Sequence, residues 1–289
     1  MKYILAQDKS NYSLWQIETL LKNLLGLGVS ITDIYVLLGS YGYNKRYKAL
    51  YRAFKGVNFV EYRNLTDLNY SPAVKPYLLW QFFKDNQYLE SSQWMLLDCD
   101  VILNKLPELD KGTVWVSDCS GYMDSKYLDS CGYTTKDFAD YLNIDVDVID
   151  RIDANIGGAQ YVFDNIPHQV WEWSYKSLYG FRKRISEANK TGTNPNGFQR
   201  WAAEMFTNIY SLSLNGCTIK HSKQLEFNFA TDSIEDIKPI IHNAGVTDSN
   251  PLGLFKKGDY TYFEPPNNLE VNKNYVSYLY YNAVNNRKW

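Results

Sequence analysis

The 289-residue chain has a mass of 33.6 kDa, a net charge of -2 and a pI near 6.0. With 45% hydrophobic and 21% charged residues it has the composition of a globular protein, which excludes a disordered chain and argues against a strongly basic nucleic-acid wrapper. Its apolar runs are far shorter than the roughly 20 residues of a membrane helix. The polar residue Gln7 interrupts the N-terminal apolar segment too early for a signal peptide. The four cysteines lack CxxC spacing, so we expect reduced thiols and a cytoplasmic protein.

Strand-like and helix-like segments alternate over the first hundred residues. Short apolar runs predict strands, and apolar residues at helical spacing predict helices. The predicted strands are 3–6, 33–38, 57–62 and 94–97, and the predicted helices between them are 12–25, 44–54 and 75–89. This alternation predicts an α/β fold with a mostly parallel, Rossmann-like sheet and flanking helices.

The second half of the chain is less regular. It contains predicted strands at 113–119 and 159–163, an apolar run at 237–242, and predicted helices at 167–186, 196–214 and 272–285, with a turn-rich segment at 189–197. No repeat or linker separates domains. We therefore expect one domain over 1–289, with a regular half at 1–105 and an irregular half with a C-terminal helix at 106–289.

Polar residues follow three of the predicted strands, as Gln7-Asp8, Gly39-Ser40 and Asp98-Cys99-Asp100. Ligands of parallel sheets bind beyond the carboxyl ends of the strands. Asp98 and Asp100 would repel each other if left unpaired, and a divalent cation would resolve that repulsion. Hard oxygen ligands suit Mg²⁺ or Mn²⁺, which can also hold a diphosphate. The alternative is a capped turn with Asp100 in solvent.

A histidine and a lysine late in the chain extend this hypothesis. His242 ends an apolar run and could complete a metal site as a neutral imidazole ligand. Lys257 follows downstream and could meet phosphate charge. A single histidine is more often structural, so the sequence leaves both interpretations open.

Two further segments carry groups suited to sugar chemistry. Gly157 and Gly158 would let backbone amides approach a ligand closely, while Asn155 and Gln160 could hydrogen-bond sugar hydroxyls. Glu204 could stabilise positive charge that develops at a sugar C1. The alternatives are a plain turn before a strand and a surface glutamate on an amphipathic helix.

Two basic clusters could contact a nucleic-acid backbone. Lys45, Arg46 and Arg52 lie in a stretch that has no acidic residue and is interleaved with tyrosines, and Arg182 and Arg184 form a second cluster. The alternative for the first cluster is a solvated outer helix whose tyrosines pack inward.

Taken in order, several segments resemble a nucleotide-sugar glycosyltransferase of the GT-A type, and within it the hydroxyproline O-arabinosyltransferase and peptidyl-serine galactosyltransferase group. The resemblance is carried by Tyr12-x-x-Trp15-Gln16, Tyr70 with Lys75-Pro76 and Trp80, Asp98-x-Asp100, Trp201-x-x-Glu204-Met205-Phe206, and Ile241-His242. Val74 stands where the group has Asn, and 122–153 matches none of its segments. The abundance of Lys, Asn and Tyr favours a phage or bacterial member.

The resemblance implies a transferase that uses a UDP-sugar and Mn²⁺ or Mg²⁺, with retention at the anomeric carbon. It places nucleotide binding in 1–105 and the sugar and acceptor in 106–289. Its implied metal ligands are Asp98, Asp100 and His242, and its implied catalytic residues are Glu204 and Gln160. The implied donor-binding residues are Gln7, Tyr12, Trp15, Lys75, Asp98, Asn155, Gly157, Gly158 and Lys257.

The acceptor hydroxyl stays open at this stage. A hydroxylated base in phage DNA, modified in the host cytoplasm, is one expectation, with Lys45, Arg46, Arg52, Arg182 and Arg184 contacting the backbone. A cell-surface glycan and a protein hydroxyl are the alternatives. Two other functions compete: a sugar nucleotidyltransferase, which usually has a glycine-rich N-terminal loop that 1–11 lacks, and a non-catalytic lectin-like or DNA-binding module.

Overall fold

The computed structural model describes residues 1–42, 44–66, 70–190, 198–250 and 253–286. Its strands are β1 (Lys2–Asp8), β2 (Ile34–Ser40), β3 (Asn58–Arg63), β4 (Trp94–Leu97), β5 (Val101–Leu103), β6 (Val114–Asp118), β7 (Gly157–Phe163), β8 (Ile219–His221), β9 (Phe227–Phe229) and β10 (Ile240–His242). Its helices are α1 (Asn11–Gly26), α2 (Tyr47–Ala53), α3 (Val74–Asp85), α4 (Ser125–Ser130), α5 (Thr135–Leu142), α6 (Asp147–Asp150), α7 (His168–Lys190), α8 (Ala203–Leu214) and α9 (Ser277–Asn285).

The alternation of strands and helices confirms the predicted α/β class. The chain divides into two compact units. The β1 unit comprises Lys2–Arg63, Leu97–Glu108 and Gln224–Trp289, and the β7 unit comprises Asn64–Leu96 and Leu109–Lys223 together with Met1. Each unit therefore draws on both sequence halves. In the predicted turn-rich segment, 191–197 lie outside the described residues.

Three parallel strands organise the start of the β1 unit. β1 pairs with β2, and β2 pairs with β3, both in the parallel orientation expected from the sequence. The register sets Asp8 opposite Gly39, so two of the predicted polar strand ends are neighbours. Ser10 caps α1 by accepting a hydrogen bond from the backbone N–H of Ser13 at 3.1 Å, which orders the turn after β1.

A small three-stranded sheet lies in the same unit. β10 runs antiparallel to β5 and parallel to β9. Ile102 of β5 and Ile241 of β10 pack with Trp15 of α1 and with the apolar face of α9 in one buried cluster. This cluster holds β5 and β10 in place. Two candidate metal ligands lie just before β5, and the third is the last residue of β10.

The β7 unit contains a mixed sheet and a helical layer. β7 runs antiparallel to both β4 and β6, and β6 runs parallel to β8. Helix α7 packs against α3 and α8. Aromatic rings fill the helical core, where Phe138 contacts Phe181, Phe198 and Phe206 at centroid distances of 5.0 to 5.3 Å. The two antiparallel pairings were not part of the sequence prediction.

In the described part of the chain, no helix combines the length and hydropathy that a bilayer crossing requires.

Candidate active site

The pairing of β5 with β10 brings the predicted metal ligands together in the β1 unit. Asp100 immediately precedes β5, and the antiparallel register sets His242 opposite Val101. The backbone N–H of Asn243 donates to the carbonyl oxygen of Asp100 at 2.9 Å and holds the two segments in contact. Two residues distant in sequence are thereby fixed by backbone hydrogen bonds, not by side-chain contacts alone.

The three side chains form a donor set suited to a divalent cation. Their ligand atoms all lie within 4.8 Å of one another. The Nε2 atom of His242 lies 3.3 Å from Oδ1 of Asp100 and 3.9 Å from Oδ2 of Asp98. Two carboxylates and one imidazole match the preferences of Mn²⁺, and carboxylate oxygens also suit Mg²⁺. The residues present therefore fit the predicted ion.

Lys257 occupies the edge of this cluster. Its ammonium group donates to Oδ2 of Asp100. Burial lowers the pKa of Lys257 to about 8, although the neighbouring Cys99 and Asp98 act in the opposite direction. Burial also raises the pKa of the Cys99 thiol, which lies 3.7 Å from Oε1 of Gln16. The thiol is therefore neutral at pH 7.

The two predicted stacking residues, Tyr12 and Trp15, both lie near the start of α1 but differ in burial. Trp15 has no exposed surface, donates its indole N–H to the carbonyl oxygen of Tyr260 at 3.2 Å, and packs edge-on against Phe255. A ring buried in the core is not available to stack on a ligand. Tyr12 is half-buried and is therefore the remaining candidate, while Gln7 is half-buried near the end of β1.

The first basic cluster lies on and before α2. Lys45, Arg46 and Arg52 are exposed, whereas Tyr47 is buried and donates to the carbonyl oxygen of Ser10 at 3.0 Å. The tyrosine thus packs inward, as the alternative interpretation expects. Lys45 and Arg46 also line a cavity of about 570 Å³ together with Lys9, whose ammonium lies 2.6 Å from a Glu61 carboxylate oxygen.

The candidate catalytic glutamate lies in the β7 unit, in the first turn of α8. Glu204 is 2% exposed, and its Oε1 atom lies 3.4 Å from Nζ of Lys75 and accepts a hydrogen bond from Asn208. The backbone N–H of Glu204 donates to the hydroxyl of Tyr70 at 3.1 Å. The predicted donor-binding lysine and the predicted catalytic carboxylate are therefore an ion pair in this structure.

The segment that begins β7 is packed more tightly than the sequence indicates. A Cβ atom at Gly157 would overlap the backbone oxygen of Ser117, and one at Gly158 would lie 2.7 Å from Cε of Met205. Both glycines thus permit close packing within the β7 unit. Gln160 is fully buried and accepts a hydrogen bond from the Ser117 hydroxyl at 2.8 Å. Asn155, at the end of the preceding turn, is half-buried.

The second basic cluster lies on α7, where Arg184 is exposed and Arg182 is half-buried. The guanidinium carbon of Arg182 lies 3.7 Å from the centroid of the Tyr70 ring. The two arginines therefore have different environments, although the sequence groups them together.

Sequence reasoning missed three residues near these groups. Asn243 is 1% exposed, and neither of its side-chain polar atoms has a hydrogen-bond partner in the described ranges. Its position directly after His242 was the available signal. Tyr70 belongs to one of the motifs that carry the family resemblance, but the sequence indicates no role for it. No local sequence pattern indicates the contact of Lys9 with Glu61.

Comparisons with known proteins extend these observations. No family model and no curated protein matches the sequence. Among solved structures, the bifunctional glycosyltransferase WbbM in its apo form matches with a TM-score of 0.53 at 10% identity, over 100% of this chain and 50% of that one. This match shows that the chain shares a fold with part of that protein, in agreement with the predicted fold class.

Two further solved structures match with lower TM-scores. The apo glycosyltransferase GlyE of Streptococcus pneumoniae TIGR4 gives 0.45 at 11% identity over 99% of this chain and 62% of that one. Mouse xyloside xylosyltransferase 1 gives 0.41 at 10% identity over 87% of this chain and 99% of that one. The chain thus spans half the length of WbbM and about three fifths of GlyE.

Proposed function

We propose that this protein is a metal-dependent glycosyltransferase that moves a sugar from a UDP-sugar to a hydroxyl acceptor. The observation that carries the proposal is the cluster of Asp98, Asp100 and His242 with Lys257 at its edge. The shared fold with a solved glycosyltransferase supports the class of enzyme, and the ordered motifs support the uridine nucleotide.

The residues of the β1 unit act on the nucleotide in this proposal. Asp98, Asp100 and His242 would hold Mn²⁺ or Mg²⁺, which would supply positive charge against the leaving diphosphate. Lys257, which now donates to Asp100, turns to the diphosphate oxygens when the donor binds. Tyr12 packs against the uracil ring, since aromatic faces stack on bases at modest entropic cost.

Glu204, Lys75 and Gln160 are the residues that act on the sugar in this proposal. Glu204 stabilises the positive charge that develops at the anomeric carbon, and Lys75 pairs with that carboxylate and holds it in place. Gln160 supports the same region through Ser117. Retention at the anomeric carbon is part of the proposal, and it rests on the motif resemblance.

A hydroxylated base in DNA is one acceptor that this proposal accommodates. The exposed side chains of Lys45, Arg46 and Arg52 offer positive charge to a phosphate backbone. Activity on duplex DNA would then fall steeply as salt rises, with a logarithmic slope of about -0.9 for each neutralised phosphate. A neutral saccharide acceptor would show little dependence on salt.

The decisive experiment measures UDP release from a panel of UDP-sugars with Mn²⁺, with Mg²⁺ and with EDTA. We expect slow donor hydrolysis in the presence of metal, faster release when an acceptor hydroxyl is supplied, and loss of both in Asp100→Asn. Asp248→Asn is the matched control, because Asp248 is exposed, pairs with Lys256 and is not one of the three candidate ligands.

Two results would reject the proposal. Formation of a sugar nucleotide from a sugar phosphate and UTP would identify a nucleotidyltransferase. Nucleotide-free binding of saccharides or DNA, with no UDP release from any donor, would identify a binding module.

A further inference from the structure

A cavity of about 290 Å³ lies within the β7 unit, between α7 and the segment that precedes α3. Its lining combines three aromatic rings, two cations and two apolar side chains. The lining residues are Tyr70, Ala73, Tyr175, Lys176, Leu178, Tyr179 and Arg182. From the chemistry of this lining we propose that the cavity binds a sugar ring that carries a carboxylate or a phosphate, and that this ring belongs to the acceptor.

The aromatic walls of the cavity are held in place by their own contacts. Tyr70 is 6% exposed, and its hydroxyl donates to the carbonyl oxygen of Trp201 at 2.7 Å. The Tyr175 ring stacks on Trp80 at a centroid distance of 5.9 Å. Such rings present flat apolar faces that match the C–H face of a sugar, and little side-chain entropy is lost when they bind.

Arg182 supplies the charge that selects an anion. Its Nε atom is buried and has no hydrogen-bond partner in the described part of the chain, and Arg182 forms no ion pair with any described carboxylate. A guanidinium that already rests on the Tyr70 ring presents a planar fork to a carboxylate or a phosphate. An anionic substituent on the bound ring would therefore give the Arg182 guanidinium the ionic partner that it lacks among the described carboxylates.

Lys176, the other cation of the lining, does not bind the anionic group of the ligand in this proposal. Its ammonium lies 2.5 Å from Oε1 of Glu172, one helical turn away, and 5.5 Å from the centroid of the Trp80 ring. The positive charge of Lys176 is thus matched within α7. Arg182 is the cation that the ligand meets.

The size and the lining of the cavity favour a sugar over a nucleobase. A volume of about 290 Å³ is near the lower end of the roughly 300–1,000 Å³ range of ligand pockets, which suits a single ring. A flipped base is recognised by hydrogen bonds to its Watson–Crick edge. The described lining contains no carboxylate and no amide side chain to make those bonds.

Tyr70 links the cavity to the candidate catalytic residue. Its hydroxyl accepts from the backbone N–H of Glu204 at 3.1 Å while its ring carries Arg182. Tyr70 therefore connects the arginine that would bind the anionic sugar to the backbone of Glu204. The assignment of the ring to the acceptor rests on the proposed glycosyltransferase function, whereas the binding of an anionic sugar does not.

The test is direct binding by calorimetry or ligand-observed NMR, without metal or nucleotide. The probes are methyl glucuronide, glucose 6-phosphate and the neutral methyl glucoside. We expect at least one anionic probe to bind the wild type tenfold or more tightly than the glucoside, and the tighter of the two identifies the anionic group. Equal affinity for all three probes, or no binding of any, would overturn the proposal.

Variants on one helix separate the cavity from general charge effects. Arg182→Gln should lower the affinity for the preferred anionic probe at least tenfold, to the level of the glucoside. Arg184→Gln removes the same charge two residues away and should change it less than twofold. An equal loss in both variants, or loss of binding to duplex DNA in Arg182→Gln without loss of the sugar, would contradict the proposal.

A third variant covers the case in which Arg182→Gln does not fold. Tyr179 is 69% exposed, so Tyr179→Ala leaves the core intact and should weaken the preferred anionic probe several-fold. Wild-type affinity in Tyr179→Ala would overturn the cavity assignment. Binding of Mn²⁺ and UDP, measured separately, distinguishes failure of the proposed function from failure of this inference.

Discussion

The Nε2 atom of His242 lies 3.3 Å from Oδ1 of Asp100, and the pairing of β10 with β5 is the physical reason. The register sets His242 beside Val101, and the hydrogen bond from the Asn243 N–H to the Asp100 carbonyl continues it. The backbone therefore preorganises the donor set, and the cost of bringing the ligands together is met during folding. We expect such a site to bind a cation without a large rearrangement.

Removal of the Lys257 ammonium should have opposite effects on the two ligands. Lys257 donates to Asp100, so it competes with a cation and repels it, yet it attracts a diphosphate. We expect Lys257→Met to tighten binding of Mn²⁺ alone several-fold and to weaken binding of UDP in the presence of Mn²⁺ at least tenfold, both measured by calorimetry. Lys256→Met, beside it in sequence but paired with Asp248, should leave both affinities unchanged. Weaker Mn²⁺ binding in Lys257→Met would show that the lysine does not compete with the ion.

The ion pair of Lys75 and Glu204 should contribute measurably to the free energy of unfolding. Both side chains are less than one-tenth exposed, and removal of one partner leaves a buried charge unpaired. Breaking such a pair costs about 3–5 kcal/mol. We expect Lys75→Met and Glu204→Gln each to lose free energy of unfolding on that scale, and the double variant to lose less than the sum, measured by urea denaturation. Strict additivity would mean that the two groups do not interact.

Glu204→Gln should also separate catalysis from donor binding. If the carboxylate stabilises charge at the anomeric carbon, the variant should bind UDP and Mn²⁺ normally while turnover falls on the order of 10²–10³-fold. Glu187→Gln provides the control, because Glu187 is exposed at the surface of α7. Turnover within a few-fold of the wild type in Glu204→Gln would remove Glu204 from the catalytic set.

Gly157 and Gly180 offer a matched pair of glycine substitutions. A methyl group at Gly157 would overlap the backbone oxygen of Ser117, whereas nothing lies within 4 Å of the corresponding position at Gly180 in α7. We expect Gly157→Ala to destabilise the protein by several kcal/mol and Gly180→Ala to stabilise it by up to about 1 kcal/mol, because alanine has the higher helix propensity. Thermal melts check both, and an unchanged melting temperature for Gly157→Ala would contradict the tight packing of β6 on β7.

Substitution of Trp15 should mainly lower stability, whereas substitution of Tyr12 should mainly lower the affinity for UDP. Trp15→Ala removes a buried ring and should cost about 3–5 kcal/mol of stability. Tyr12→Ala should alter stability much less but weaken UDP binding on the order of tenfold, as expected for loss of one stacking contact. Calorimetry with UDP and Mn²⁺ measures the second effect. Unchanged UDP affinity in Tyr12→Ala would show that the base binds elsewhere.

The sequence predicts the α/β class and the acidic half of the metal cluster because both depend on local patterns. An apolar strand followed by Asp98-Cys99-Asp100 places two carboxylates at a strand end, and no distant contact is needed to see this. His242 was identified through an ordered set of motifs. Its approach to Asp100 depends on the β5–β10 register, which short strands of three residues do not specify locally.

Other features depend on contacts that no local pattern encodes. The same helical spacing suits Trp15 in a core or at a ligand, and only the packing of Phe255 against it decides between them. Lys257 reaches Asp100 across 157 positions. Arg182 and Arg184 look equivalent in sequence, but the Tyr70 ring lies beside one of them.

A thermal melt of the wild type and Asp100→Asn with Mn²⁺, with UDP, and with both tests the proposed metal–nucleotide site most directly. A ligand at about 100 times its dissociation constant stabilises by roughly 2.7 kcal/mol, which raises the melting temperature by several degrees. We predict that metal and UDP together raise the melting temperature of the wild type and of Asp248→Asn by more than either ligand alone, and that Asp100→Asn shows no such rise. An equal rise in Asp100→Asn, or no rise with any nucleotide in the wild type, would contradict a metal–nucleotide site at Asp98, Asp100 and His242.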